Sequence, residues 1–316
     1  MVDTFLVLTP GPFTTVQDKG RFGYQHMGIP VSGVLDSFAC RVANFLVGNP
    51  EGHAVLENTI IGPQLAVLRE TDIALTGAEM DAKLNYKPIE SWKTIRVKSG
   101  DVLTFQPVKS GCRGYLAVSG GIKVPEVMGS MSTYVGGKIG GYGGRPLKKG
   151  DIVGRCNGSL LDVPRYLPEK WIPRYPDKIN LRTVAGPQDD HFDEGLTTLF
   201  QSEFLVTPKA DRMGYRLQGT PIKHRENVPQ SIISEPTMPG GIQVPADGQP
   251  IILLVEQTVG GYTKIATVIS TDIPNIAQAV PGDLVKFEDV TLEKAHRIYS
   301  DHEKQIKAIA EAIAGP

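Results

Sequence analysis

Gln64-Leu65-Ala66-Val67-Leu68, Asp72-Ile73-Ala74-Leu75, Thr94-Ile95-Arg96-Val97, Val102-Leu103-Thr104-Phe105 and Gly114-Tyr115-Leu116-Ala117-Val118 follow one another in a single stretch of the chain. Each run is short for a helix and rich in apolar and β-branched side chains, which favours strands. The pattern returns in Ile251-Ile252-Leu253-Leu254-Val255, Ile265-Ala266-Thr267-Val268-Ile269 and Leu284-Val285-Lys286-Phe287. Across 316 residues, 35 glycines and 24 prolines punctuate the chain into short segments, as in sheet-rich domains. The fold class read from these runs is mainly β.

Helices are expected in three places. Asp36 is placed to cap a helix whose apolar stripe is Phe38, Val42, Phe45 and Leu46, with Gly48 ending it. A second, short helix follows Pro187 and uses Phe192, Leu196, Leu199 and Phe200. The last runs from Thr291 to about Ala314, with Leu292, Ala295, Ile298, Tyr299, Ile306, Ile309 and Ile313 inward.

Two echoes hint at internal duplication. Arg21-Phe22-Gly23-Tyr24 recurs as Arg212-Met213-Gly214-Tyr215, and Gly100-Asp101-Val102-Leu103-Thr104-Phe105 recurs as Gly282-Asp283-Leu284-Val285-Lys286-Phe287. A third, Gly120-Gly121-Ile122 against Gly240-Gly241-Ile242, has an offset that cannot belong to the same duplication. The proline-rich stretch holding Pro164, Pro168, Pro173 and Pro176 marks the seam, giving halves 1–175 and 176–316.

Apolar residues make up 41% and charged residues 21%, the composition of an ordinary globular protein. A formal net charge of -1 argues against a nucleic-acid-binding face. Three widely spaced cysteines form neither a disulfide framework nor a metal knuckle, which points to a reducing cytoplasm. The N-terminus lacks the basic start of a signal peptide, and no apolar run approaches the roughly 18 residues of a membrane span. The six histidines show no helical metal-ligand spacing, so no metal site is expected among them.

Three polar constellations remain. Thr14-Thr15-Val16-Gln17-Asp18-Lys19-Gly20-Arg21-Phe22-Gly23-Tyr24 gathers an amide, a carboxylate and a guanidinium between glycines. Arg21 offers a planar fork for carboxylate or phosphate, and the glycines permit close backbone approach; the plainer reading is a surface turn. Gly136-Gly137-Lys138-Ile139-Gly140-Gly141-Tyr142-Gly143-Gly144 is no standard P-loop, because Ser132 replaces the first glycine and Ile139 follows the lysine. Its backbone amides suit an anion, with Lys138 and Arg145 as phosphate-binding candidates, or it is only a surface loop. The third constellation runs from Gly240 to Gln249 and resumes at Glu256-Gln257-Thr258-Val259-Gly260-Gly261-Tyr262. Gln243, Gln249 and Gln257, on loops around the 251–255 strand, supply neutral donor–acceptor amides suited to an amide, lactam or urea, or else satisfy turn backbones. Ser119 lacks the glycine of a nucleophile elbow, since Ala117 precedes it by two. No Ala-Met-Lys-Met site exists, so biotin is not carried on this chain.

Together Thr14-Thr15-Val16-Gln17-Asp18-x-Gly20-Arg21, Ser32-Gly33-x-x-Asp36, Leu56-Glu57-x-Thr59, Asp211-Arg212-Met213-Gly214-Tyr215-Arg216-Leu217 and Gln257-Thr258-x-Gly260-Gly261-Tyr262 resemble the allophanate hydrolase subunit 2 family, also called the biotin-dependent carboxyltransferase subdomain family. Val259 stands where Thr is usual, and Thr263-Lys264 replaces the usual Pro-Arg. The resemblance implies a cyclophilin-like β-barrel architecture in two barrel-like halves and a partner of the subunit-1 type. Three functions follow from it: one subunit of an ATP-dependent 5-oxoprolinase working with subunits A and B, a biotin-dependent carboxyltransferase component acting on urea, or a non-enzymatic regulator that antagonises a histidine-kinase inhibitor.

For the first of these, the expected cofactor is ATP with Mg, at a site shared with a partner subunit. Asp18, Arg21 and Glu57 are then the catalytic candidates. Gln17, Arg212, Gln243, Gln249, Gln257, Gly260, Gly261 and Tyr262 are the substrate-binding ones. Asp36 reads better as a helix cap than as a catalyst, and Glu57 doubles as a half-buried structural carboxylate.

Overall fold

The structure, a computed structural model, describes residues 1–315. The chain divides into two units. Unit 1 comprises Met1–Phe22, Ser32–Tyr175 and the chain from Gln305 onward; unit 2 comprises Gly23–Val31 and Pro176–Lys304.

Unit 1 carries β1 (Val2–Thr9), β2 (Phe13–Gln17), α1 (Ser37–Leu46), β3 (Val55–Thr59), β4 (Gln64–Val67), β5 (Thr71–Leu84), β6 (Lys87–Pro88), β7 (Thr94–Val97), β8 (Val102–Val118) and β9 (Ile152–Arg155). They form an open antiparallel half-barrel in the order β2-β3-β8-β4-β1-β9, with β5 pairing β6, β7 and β8. Its core includes Phe5, Val16, Leu56, Leu65, Ile73, Leu103 and Leu116, all fully or almost fully buried. Ala39, Val42, Ala43 and Leu46 of α1 pack in a second cluster with Tyr115, Trp92, Ile309 and Ile313.

Unit 2 holds β10 (Lys178–Ala185), α2 (Gly195–Gln201), β11 (Glu203–Ala210), β12 (Gly214–Gln218), β13 (Ser231–Pro236), β14 (Gly241–Val244), β15 (Ile251–Leu253), β16 (Val259–Val268), α3 (Ile273–Ala277) and β17 (Leu284–Asp289). The order β10-β17-β11-β12-β15-β14-β16 returns to β10, so seven strands close a barrel, and β13 is added outside on β16. All pairings are antiparallel except β10–β17. Phe204, Leu217, Ile242, Val244, Ile252, Ile265, Val285 and Phe287 are buried in this unit. α4 (Leu292–Ala314) ends the fold. No helix among the described residues is long and apolar enough to cross a membrane.

The Gly-Asp echo has a structural counterpart. At Gly100-Asp101 the glycine N–H donates to Val67 O and Val67 N–H donates to Asp101 O, while the Asp carboxylate accepts from Lys98 N–H at 2.7 Å. Gly282-Asp283 repeats this on Val206 and Val280, and Gly150-Asp151 repeats it on Val7 and Lys148. In each turn the glycine has φ near +90° or above, a region open to glycine, and a strand follows at once. The Gly120/Gly240 echo is partial: both glycines have φ near +90° and the N–H of the next glycine donates to the carbonyl three residues before it, but Gly121 has φ +73° whereas Gly241 does not adopt a positive φ.

Three expectations need correction. The runs 102–105 and 114–118 belong to one strand, β8, which follows β5 through several register shifts at bulges. α3 was not foreseen; its five residues are short and apolar and mimic the end of the preceding strand. In α4 the apolar stripe is buried only at Ile306, Ile309 and Ile313, while Leu292 and Tyr299 are exposed at 56% and 52%. The helix shows the expected period along its whole length, but only its last turns have a surface to cover.

Candidate functional site

The N-terminal loop after β2 is held from within unit 1. The Asp18 carboxylate accepts from Gly20 N–H (2.9 Å), Ser130 Oγ (2.6 Å), Ser132 Oγ (2.5 Å) and Met131 N–H (2.6 Å). Gln17, fully buried, donates to Thr15 Oγ1 and Thr133 O and accepts from Gly33 N–H. Arg21 is 1% exposed; its Nε donates to Val127 O at 2.9 Å and its Nη2 to Ser132 O at 2.8 Å. Burial pulls its guanidinium below the usual range, with Asp18 opposing. The loop therefore clasps the 127–133 segment, with the polar groups named above turned to carbonyls, hydroxyls and amides of the protein, while the buried Nη1 of Arg21 has no hydrogen-bond partner among the described residues. A carboxylate with four protein donors has its acceptor capacity filled, which is a structural arrangement and leaves Asp18 poorly placed as a base.

Glu57 lies in β3, 1% exposed, and accepts from Leu35 N–H (3.0 Å) and Tyr115 O–H (2.9 Å). Tyr115 in turn accepts from Asp36 N–H, and Asp36 caps α1 through Ala39 N–H while accepting from Tyr175 O–H. Burial raises the hydroxyls of Tyr115 and Tyr175 well above the ordinary phenol range. The second of the two readings of Glu57, a structural carboxylate, is the one this geometry favours. In the glycine-rich loop Lys138 is exposed, whereas Arg145 is paired twice with Asp151, at 2.7 and 2.9 Å. This pairing leaves Arg145 unfit as a phosphate ligand.

Unit 2 presents a different arrangement. Gln249 clamps the backbone of Gly219 with both amide atoms, and Gln257 donates to Val259 O two residues away, so both satisfy backbone groups. Arg212 donates from Nε to Glu256 at 2.6 Å inside the protein. Gln243 is otherwise placed. It sits in β14, and Gly260, Gly261 and Tyr262 sit in β16, so these four are on strands where loops were expected. The Gln243 Nε2 is buried and has no hydrogen-bond partner among the described residues. A Cβ added at Gly260 would meet that nitrogen at 2.2 Å, so the amide fills the space above this glycine.

Gln243 faces Lys264 in register across β14–β16, and Gly260 faces Glu235 across β16–β13. Lys264 is 6% exposed and its ammonium is paired with the Glu235 carboxylate. The same Glu235 oxygen accepts from Gln188 Nε2 at 3.3 Å, and Gln188 Oε1 accepts from Lys264 N–H at 3.0 Å. The ammonium beside it holds Glu235 below the usual carboxylate range. His224 reaches Thr263 Oγ1 at 2.8 Å on the adjacent position of β16.

Lys264, Glu235, Gln188 and His224 were not among the sequence candidates. The signal for Lys264 is a cation placed directly before the apolar run 265–269, where a strand core begins. Glu235 and Gln188 carry no local signal, because only the pairing of β13 and the path after β10 bring them in. The cluster gathers a buried ammonium, a buried amide donor and a second amide along β16 beside Gly260. Among the described residues no group of three or more His, Cys, Asp or Glu side chains is arranged to hold a metal ion.

The family model described as the carboxyltransferase domain, subdomain A and B, matches residues 27–289. The chain is 37% identical to the C subunit of the 5-oxoprolinase of Escherichia coli over 310 residues, covering 96% of this chain and 97% of that protein. It is 33% identical to the urea amidolyase of Lachancea kluyveri, covering 97% of this chain but 18% of that protein. The crystal structure of the urea amidolyase from K. lactis superposes with a TM-score of 0.91 at 33% identity, over 98% of this chain and 20% of that one. The chain thus spans about a fifth of these two fungal proteins.

Proposed function

This chain belongs to the carboxyltransferase-domain family, subdomains A and B, and from that membership we propose that it is the C subunit of a 5-oxoprolinase, opening 5-oxo-L-proline to L-glutamate together with subunits A and B. The observation that carries this reading is the match along 96% of this chain and 97% of the Escherichia coli C subunit, at the higher identity. A lactam is a resonance-stabilised amide that resists water, so ring opening would be coupled to ATP, which would activate the carbonyl carbon toward water by phosphorylating its oxygen. Of the candidates for Mg and nucleotide, Asp18, Asp36 and Glu57 are engaged by protein donors and Arg145 by Asp151, which leaves only the exposed Lys138. The nucleotide is therefore assigned to the partner subunits, and this chain to holding the substrate. Gln243 and Lys264 supply what that role needs, since 5-oxoproline presents a lactam carbonyl and a carboxylate.

The test is ATP-dependent glutamate release from 5-oxoproline by this chain mixed with subunits A and B, with each subunit left out in turn. Turnover that requires this chain supports the reading; none from a folded, assembled complex overturns it. The TM-score of 0.91 to the K. lactis enzyme favours a second reading, a carboxyltransferase component acting on urea. Carboxylation of urea in the presence of a biotinylated carrier protein, without glutamate release, would establish that reading instead.

A further inference from the structure

Lys264 carries its ammonium inside the barrel wall, with a side chain 7% exposed. A buried charge is kept only when something of opposite sign accompanies it. Here that counter-charge comes from outside. Glu235 is 41% exposed and extends from β13, a strand that pairs β16 alone and has no buried residue. Two donors from different parts of unit 2, Lys264 Nζ and Gln188 Nε2, converge on one oxygen of Glu235. The Gln243 Nε2 faces the same stretch of β16 and has no acceptor among the described residues, although leaving a buried donor unpaired is costly.

Two donors gathered on one carboxylate oxygen, with a third donor waiting beside Gly260, describe a seat for a ligand that carries a carboxylate and a neighbouring carbonyl. We propose that Lys264 and Gln188 bind the carboxylate of a small amide-bearing acid, that Gln243 donates to its carbonyl, and that Glu235 occupies the carboxylate position until the ligand displaces it. The exchange trades one ion pair on Lys264 for another, and the displaced Glu235, already 41% exposed, swings into water. The Gln243 amide is pressed onto the strand at Gly260, where a Cβ would meet its nitrogen at 2.2 Å, at the position that pairs with Glu235. The identity of the ligand as 5-oxoproline rests on the function proposed above. The carboxylate-like chemistry of bicarbonate would suit the same seat.

The experiment is calorimetric titration of the full chain with 5-oxo-L-proline, with 2-pyrrolidinone, which has the lactam but no carboxylate, and with bicarbonate. Each is run on the native chain, Glu235→Gln, Glu235→Asp and Lys264→Met, with thermal melting to certify the fold. The expected result is binding of 5-oxoproline but not 2-pyrrolidinone, tightened about tenfold by Glu235→Gln and weakened at least tenfold by Lys264→Met. Glu235→Asp keeps the counter-charge of Lys264 while shortening its reach, so it retains the fold where Glu235→Gln or Lys264→Met unfolds. It is expected to bind 5-oxoproline more tightly than the native chain, and unchanged or weaker binding in it overturns the proposal. Unchanged or weaker binding in folded Glu235→Gln, or no binding of any carboxylate to it, overturns the proposal. Binding of bicarbonate but not 5-oxoproline, with the same response to both variants, keeps the seat and sinks the 5-oxoprolinase reading. Turnover by the assembled complex with an unaltered KM in Lys264→Met sinks the seat and leaves that reading standing.

Discussion

At the scale of single residues, glycine and arginine positions give the sharpest expectations. Gly260→Ala puts a methyl carbon on the Gln243 amide, so either β16 shifts or Gln243 leaves its rotamer. The expected outcome is a lower melting temperature together with a raised KM for 5-oxoproline, whereas a change at an ordinary surface glycine would move neither. Arg21→Met removes the donor of the Ser132 carbonyl and one of the two donors of the Val127 carbonyl, and a buried group left unpaired costs about 1–3 kcal/mol. Urea denaturation of this variant is expected to show that loss, with KM of the folded fraction unchanged. Histidine protonation sets an acid limit. Burial holds His53 and His224 below the ordinary imidazole value of 6.5, with His191 adding to the effect on His224. The unfolded chain then binds protons first, so this stability is complete above about pH 6.5 and is lost as pH falls below it. Melting temperatures measured from pH 7.5 down to 5.5 should decline, and His53→Asn or His224→Asn should flatten the decline. At this scale the sequence was least legible. Asp18, Arg21 and Glu57 stand out because polar residues between glycines look like a site, but the same residue types also make a buried clasp. Only the position of their donors and acceptors tells the two apart, and for Asp18 and Arg21 these lie over 100 residues away.

Elements were far more legible, because periodicity and capping act over neighbouring residues. The strand runs, the Asp36 cap and the final helix were all visible in local pattern. The buried or exposed state of each turn of α4 was not, since it depends on what lies opposite. The three Gly-Asp turns provide an internal control at this scale. Gly100, Gly150 and Gly282 all have positive φ, and a Cβ at any of them meets nothing within 4 Å. Alanine at each should therefore cost the same conformational penalty, about 1–2 kcal/mol. Unequal losses in chemical denaturation would refute the structural equivalence of the three turns.

For the whole molecule, the two units are not successive pieces of chain. Residues 23–31 belong with unit 2 and the chain from 305 belongs with unit 1, so the path passes between units four times. In unit 2, Gln25 donates to the carbonyls of Thr237 and Thr258, and in unit 1 Ile309 and Ile313 join the α1 cluster. Separate expression of 1–175 and 176–316 is expected to give unfolded or aggregated polypeptides by circular dichroism and gel filtration. Moving the cut cannot help, because any single cut leaves one unit short of a segment. The duplication echoes in the sequence pointed to two related halves, but a segment exchanged between them leaves no compositional mark.

The closed barrel of unit 2 has one more consequence. Ring closure gives each of its seven strands a hydrogen-bonded neighbour on both sides, and β13 alone is left with a single partner. Any fibril-like pairing between molecules of folded unit 2 must begin there, where Ile233 is 94% exposed. Glu235 and Pro236 stand at that strand as a charge and a missing amide, the two features that discourage such growth. The residue proposed to yield to a ligand is thus also a gatekeeper against self-association.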